Sequence, residues 1–202
     1  TAATPRPPRV RDPEKVHDPS TITVADGVRR FFSTGPGVLL MRESADGKWL
    51  REAQVFTEGN FPAWHEQTVP GNRGYLWAPD IIQIQGKFLL YYSVSTFGKN
   101  TSAIGLAVGT TLDPSSPQWQ WEDRGPVLTS RSTDRFNAID PAIFRDPTDG
   151  SLWMSFGSFW DGIHLVELDQ TTGMQTDPAQ KPVHLAYAPE IEAPFIHTRN
   201  GY

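Results

Sequence analysis

No cysteine occurs among the 202 residues, which excludes a disulfide framework and any thiolate-bound metal. Positive charge is scarce as well. Eighteen Lys and Arg stand against 23 Asp and Glu, for a net charge of −5, and no basic cluster stands out, so a nucleic-acid surface is not expected. No apolar run approaches the roughly 20 residues that a helix needs to cross a bilayer, and no membrane partner is expected. No window holds a 3.6-residue apolar period either, so no helix of any length is predicted. What the chain does have is 18 Pro, 17 Gly, 7 Trp, 5 Tyr and 11 Phe; with 38% hydrophobic and 20% charged residues it reads as one globular, turn-rich domain.

Its organising feature is a repeat. Asp140-Pro141-Ala142-Ile143 leads through the turn Arg145–Gly150 to the aromatic run Leu152–Phe156. The same order of events runs from Asp18 through Asp26-Gly27 to Phe31–Thr34, and from Asp80 through Gln85-Gly86 to Phe88–Tyr92. It begins again at Glu192, with Asn200-Gly201 as its turn and Tyr202 as its last residue. These carboxylates stand 62, 60 and 52 residues apart. The x-Gly dipeptides are hairpin signals, because glycine accepts the positive φ that such turns need. Each unit of 50 to 60 residues holds about four short strands, which is the size and content of one β-propeller blade.

The predicted fold is therefore all-β: a propeller of which this chain supplies about three blades and the first strand of a fourth. The blades fall at approximately residues 16–55, 76–128, 137–185 and, in part, 188–202, following an extended arm over residues 1–15 that holds four prolines. The inner strand of every blade faces one axis, so the repeated acids converge on a central funnel. Like charges in a partly dry site repel, and such a cost points to function. Paired carboxylates around a polar funnel suit glycoside hydrolysis, in which one acid protonates the leaving oxygen and a carboxylate attacks or activates water. Propellers have about 4–8 blades. The chain is thus expected to be part of something longer, or to be completed by a second chain or a swapped protomer.

Five motifs carry a resemblance to a known family: His17-Asp18-Pro19-Ser20, Leu76-Trp77-Ala78-Pro79-Asp80, Asn137-Ala138-Ile139-Asp140-Pro141, Gly157-Ser158-Phe159-Trp160 and Ile191-Glu192-Ala193-Pro194-Phe195. Together they resemble glycoside hydrolase family 43, and within it the endo-α-1,5-L-arabinanases. That resemblance implies a five-bladed propeller acting with inversion, in which Asp18 is the general base, Glu192 the general acid and Asp140 the residue that tunes and orients the acid. It implies sugar-stacking roles for Trp77, Phe97 and Trp160, and arabinan or its oligosaccharides as substrate. Asn137 and Ser158 are candidates for hydrogen bonds to sugar hydroxyls. Asp80 is not one of the family's three catalytic acids and is expected in the funnel wall as hydrogen-bonded structure. No cofactor is required by the sequence and no metal ligands are assigned, although the family often holds an ion near the axis and calcium would suit it.

Each assignment has a plainer rival. Asp18 and Asp140 precede proline, where Asp often only begins a turn. Glu190 competes with Glu192 from the same strand face. Trp77, Phe97 and Trp160 would serve equally as blade-interface packing, and Asn137 and Ser158 as backbone caps. His65, His164, His184 and His197 show no ligand spacing and read as surface or strand residues. An exo-acting α-L-arabinofuranosidase or β-xylosidase would use the same acids, and a loop blocking the funnel would distinguish it. The long connection Phe56–Tyr75 is the candidate for such a block. An inactive carbohydrate-binding fragment is the rival from another class. Thr1 to Arg11, small, Pro-rich and basic, reads either as the front of a mature secreted or periplasmic protein or as the start of a cytosolic one.

Overall fold

The computed structural model describes residues 16–199. The arm expected over residues 1–15 and the turn at Asn200-Gly201 lie outside the described residues. Three antiparallel sheets follow one another along the chain. The first orders β1 (Thr23–Ala25), β2 (Val28–Ser33), β4 (Leu39–Glu43) and β5 (Trp49–Gln54) from the inside outward. The second orders β6 (Tyr75–Ile84), β7 (Lys87–Val94), β8 (Ser102–Gly109) and β9 (Trp121–Ser130), and gains β3 (Gly35–Pro36) alongside the start of β6. The third orders β10 (Ala142–Arg145), β11 (Leu152–Phe156), β12 (Ile163–Leu168) and β13 (Val183–Ala186). The first hairpin of each sheet turns on the predicted residues. Asp26-Gly27 and Gln85-Gly86 carry φ of 52°, 72°, 50° and 77°, the doubly left-handed pair of a type I′ turn.

The sequence of β7 explains how the sheets stack. Side chains alternate between the two faces of a strand. Phe88, Leu90, Tyr92 and Val94 enter one core with Phe32 and Leu40 of the first sheet and Phe56 of the connection that follows it. Leu89 and Tyr91 enter a second core with Leu152, Met154 and Phe156 of the third. A strand buried on both faces reads as an unbroken apolar run, and β7 has seven buried residues out of eight. Burying a large side chain contributes roughly 1.5–3 kcal/mol, so these two inter-sheet cores hold the blades together.

Two expectations change. The connection Phe56–Tyr75 contains one helical turn, α1 (His65–Thr68). The segment beyond residue 188 was expected to open a fourth blade. Among the described residues it forms no strand and makes one isolated bridge, Ser158 with Glu192, because a strand needs a hydrogen-bonded neighbour along its length.

Candidate active site

The inner strands enter their sheets through four matching corners. Asp18, Ala78, Asp140 and Ala193 have φ of 49°, 38°, 57° and 54°, and each precedes a proline. Proline disfavours helical conformations in the residue before it. A left-handed non-glycine residue there costs roughly 1–3 kcal/mol and persists only where its surroundings impose it. These corners set the true register of the repeat. Asp18 and Asp140 are equivalent, the second blade has Ala78 at that place, and Glu192 falls one residue earlier, level with His17, Trp77 and Ile139.

All the residues on those levels except Ala78 line one cavity of about 950 Å³: His17, Asp18, Trp77, Ile139, Asp140, Glu192 and Ala193. Thr34, Tyr75, Thr96, Phe97, Gly98, Lys99, Asn137, Ser158, Phe159 and Trp160 complete its wall. Asp18, Asp140 and Glu192 are thus brought together. So are Trp77, Phe97, Asn137, Ser158 and Trp160. Glu190 does not line the cavity.

Asp80 does not line it either, which corrects its expected place in the funnel wall. It is 3% exposed. Its Oδ1 accepts the Thr21 N–H at 3.0 Å and its Oδ2 the Ile143 N–H at 2.8 Å. The physical reason is register: Asp80 stands two residues past the Ala78 corner, where the pleat turns its side chain into the protein. Burial pushes its carboxyl above the usual range, against the opposing pull of these amides.

The three acids sit in different surroundings. Asp18 Oδ2 accepts the Thr34 hydroxyl at 2.6 Å and lies 2.6 Å from His17 Nδ1. Glu192 accepts the Ser158 hydroxyl at 3.1 Å. Asp140 receives the Ala193 N–H at 3.3 Å, while its own N–H is held by Ser93 Oγ at 3.0 Å. Burial pushes the Asp140 carboxyl up to about 7, and the charges of Glu192 and Asp18 add to the rise. The cavity therefore holds one carboxyl that keeps its proton close to neutrality.

Aromatic side chains rim the acids. Phe97 is 96% exposed on the loop between β7 and β8, and Tyr75, Phe159 and Trp160 are between 41% and 52% exposed. Such faces suit apolar sugar surfaces. Asn137, 2% exposed, accepts the Ser102 hydroxyl at 2.7 Å through Oδ1, which leaves its amide NH₂ for the cavity. The hydroxyl of Ser158 is already engaged with Glu192, so its first task is to hold that acid. Beneath loop 157–162, His164 of β12 is buried, stacked on Phe156 and tilted against Phe136. Sequence reasoning missed Thr34, Ser93, Tyr75 and Phe159. The hydroxyl residues Thr34, just past β2, and Ser93, next to last in β7, hold matching positions opposite His17 and Trp77, and only the corner register makes that visible. Among the described residues no group of three or more His, Asp or Glu is arranged to hold a metal ion.

Carboxylates gathered at the axis of a propeller, with aromatic faces around them, are the equipment of a glycosidase. The chain belongs to the glycosyl hydrolases family 43, whose model matches residues 12–202. It is 42% identical over 200 residues to the extracellular exo-alpha-(1->5)-L-arabinofuranosidase ArbA of Cellvibrio japonicus, across 93% of this chain and 56% of that protein. It is 38% identical over 199 residues to the extracellular endo-alpha-(1->5)-L-arabinanase 1 of Bacillus subtilis, across 94% of this chain and 58% of that protein. The solved structure of the Cellvibrio cellulosa alpha-L-arabinanase complexed with arabinohexaose is similar at a TM-score of 0.76 and 44% identity, across 83% of this chain and 52% of that one. The three sheets are accordingly consecutive blades of a five-bladed propeller, and the chain spans a little over half the length of these relatives.

Proposed function

We propose that this protein is an arabinan-degrading hydrolase that cuts internal α-1,5-L-arabinofuranosidic bonds with inversion of configuration. Asp18 is the general base. It takes a proton from water as the water oxygen bonds to the anomeric carbon, on the face opposite the departing chain. Glu192 is the general acid and gives its proton to the leaving oxygen as the glycosidic bond breaks. Asp140 orients Glu192 through the Ala193 N–H and keeps the cluster from carrying three negative charges. Inversion calls for a carboxyl separation of roughly 6.5–9.5 Å between base and acid. Trp77, Phe97 and Trp160 stack on furanose rings, and Asn137 donates to a sugar hydroxyl. Remaining blades, on this polypeptide or a partner, close the funnel, and the extracellular relatives favour secretion.

The observation that carries this reading is the convergence of Asp18, Asp140 and Glu192 in one aromatic-rimmed cavity. Endo action is favoured by the Phe56–Tyr75 connection, of which Tyr75 alone lines the cavity. Its Trp64 is fastened instead to Asp123 of β9, at 3.1 Å, so it does not lie across the opening. Exo action is favoured by the relative of that name at 42% identity. The test is product analysis on linear α-1,5-arabinan, with Glu192→Gln as control. A ladder of oligosaccharides that the variant abolishes is the expected result. Monosaccharide or a single short product supports exo action. Binding without hydrolysis supports a carbohydrate-binding role.

A further inference from the structure

We propose that Thr34 is a positioning residue for Asp18: its one hydroxyl proton is committed to the carboxylate and selects which oxygen works as the base. The inference rests on the hydrolase reading. Thr34 directly follows β2, the second strand of the first blade, and is 8% exposed. Its Oγ1 accepts the N–H of Ala78, the left-handed corner of the next blade, at 2.7 Å. A hydroxyl whose lone pair is occupied by that donor has its single proton left to give, and Asp18 Oδ2 lies 2.6 Å away. With its proton on Nδ1, His17 donates to the same oxygen at 2.6 Å. Both bonds fall on Oδ2. Among the described residues Oδ1 has no hydrogen-bond partner, so Oδ1 is the oxygen that meets the attacking water.

The repeat marks this arrangement as particular to the first blade. Ser93 holds the matching place in the second blade, and its hydroxyl receives the Asp140 N–H at 3.0 Å, with no acid beside it, because Ala78 replaces one at that corner. The third blade has Gly157 there and no hydroxyl. Only in the first blade do a hydroxyl, a corner amide and a corner carboxylate meet.

The test compares Thr34→Val, which keeps the shape and removes the proton, with Thr34→Ser, which restores it. Thr34→Val is expected to lower kcat about 10–100-fold, the scale of a misplaced catalytic group, with KM within about twofold. Thr34→Ser should recover most of the rate. A Thr34→Val enzyme that merely melts earlier and turns over like wild type per folded molecule overturns the proposal. If wild type releases nothing from arabinan, the hydrolase reading fails by itself. Thr34 is then judged from melting temperatures of Asp18→Ala, Thr34→Val and the double variant. Additive shifts mean that no bond exists and overturn the positioning role, whereas a double variant less destabilised than the sum supports it.

Discussion

Asp140 is the residue at which burial and like charge act together. Its carboxyl is raised from 3.8 to about 7, so between those values the folded protein holds a proton that the unfolded chain has released. Stability that depends on that proton is complete below 3.8 and is lost as pH rises toward 7. Three units correspond to about 4 kcal/mol at most, less after solvent screening. Asp140→Asn cannot ionise. In parallel thermal melts, wild type is expected to lose ground to this variant from pH 4 to pH 7 and to keep a constant gap from it above; a constant offset throughout would refute the assignment. Ser158 acts on the neighbouring acid. Ser158→Ala removes the one hydrogen bond that, among the described residues, holds the Glu192 carboxyl and should lower kcat about tenfold with little change in melting temperature, measured by initial rates on arabinan.

At the scale of the element, hydroxyls near the ends of the second strands fasten the corner of the next blade: Thr34 to Ala78, Ser93 to Asp140. Gly157 interrupts the pattern for a reason of space. It has φ of 126°, and a Cβ there would meet the Gly162 carbonyl oxygen at 2.2 Å. Without a hydroxyl, the Ala193 N–H turns to the Asp140 carboxylate instead. Gly157→Ala should displace loop 157–162, release Ser158 from Glu192 and cost more than about 1 kcal/mol. Calorimetry and kcat together would register both effects. Strands, hairpin turns and blade count were legible in the sequence because each rests on local chemistry: alternation, x-Gly pairs, aromatic runs. Asp18, Asp140 and Glu192 were legible as acids at blade starts. Asp80, rightly expected as hydrogen-bonded structure, was misplaced in the funnel wall because the repeat was aligned on carboxylates. Its actual frame is the left-handed residue before each proline, a backbone property that no side chain announces. The place of the Phe56–Tyr75 connection was hidden too. It depends on Trp64 packing over Gly105, where an added Cβ would sit 2.7 Å from the indole, and on a bond to an acid 59 residues away.

Across the whole molecule, apolar cores join the blades in pairs, first to second and second to third, and either core could loosen without the other. Asp80 is the group that spans all three. From β6 of the second blade it binds an amide next to β1 of the first and an amide in β10 of the third, 59 and 63 residues away in sequence. Burying this acid is unfavourable, yet the two amides it satisfies would otherwise be stranded at the axis. An unpaired buried donor costs about 1–3 kcal/mol. Asp80→Ala strands both and should destabilise the protein by about 3–5 kcal/mol. Asp80→Asn keeps one acceptor and should cost about half as much. Hydrogen exchange separates this role from a local packing defect. A staple across three blades predicts faster exchange at the Thr21 and Ile143 amides together, although they share no sheet. A local defect would loosen β6 and its neighbour β7 and leave at least one of those amides protected. Exchange in step at both sites would mean that the axis holding the acid-bearing corners is fixed by an acid which does not line the cavity.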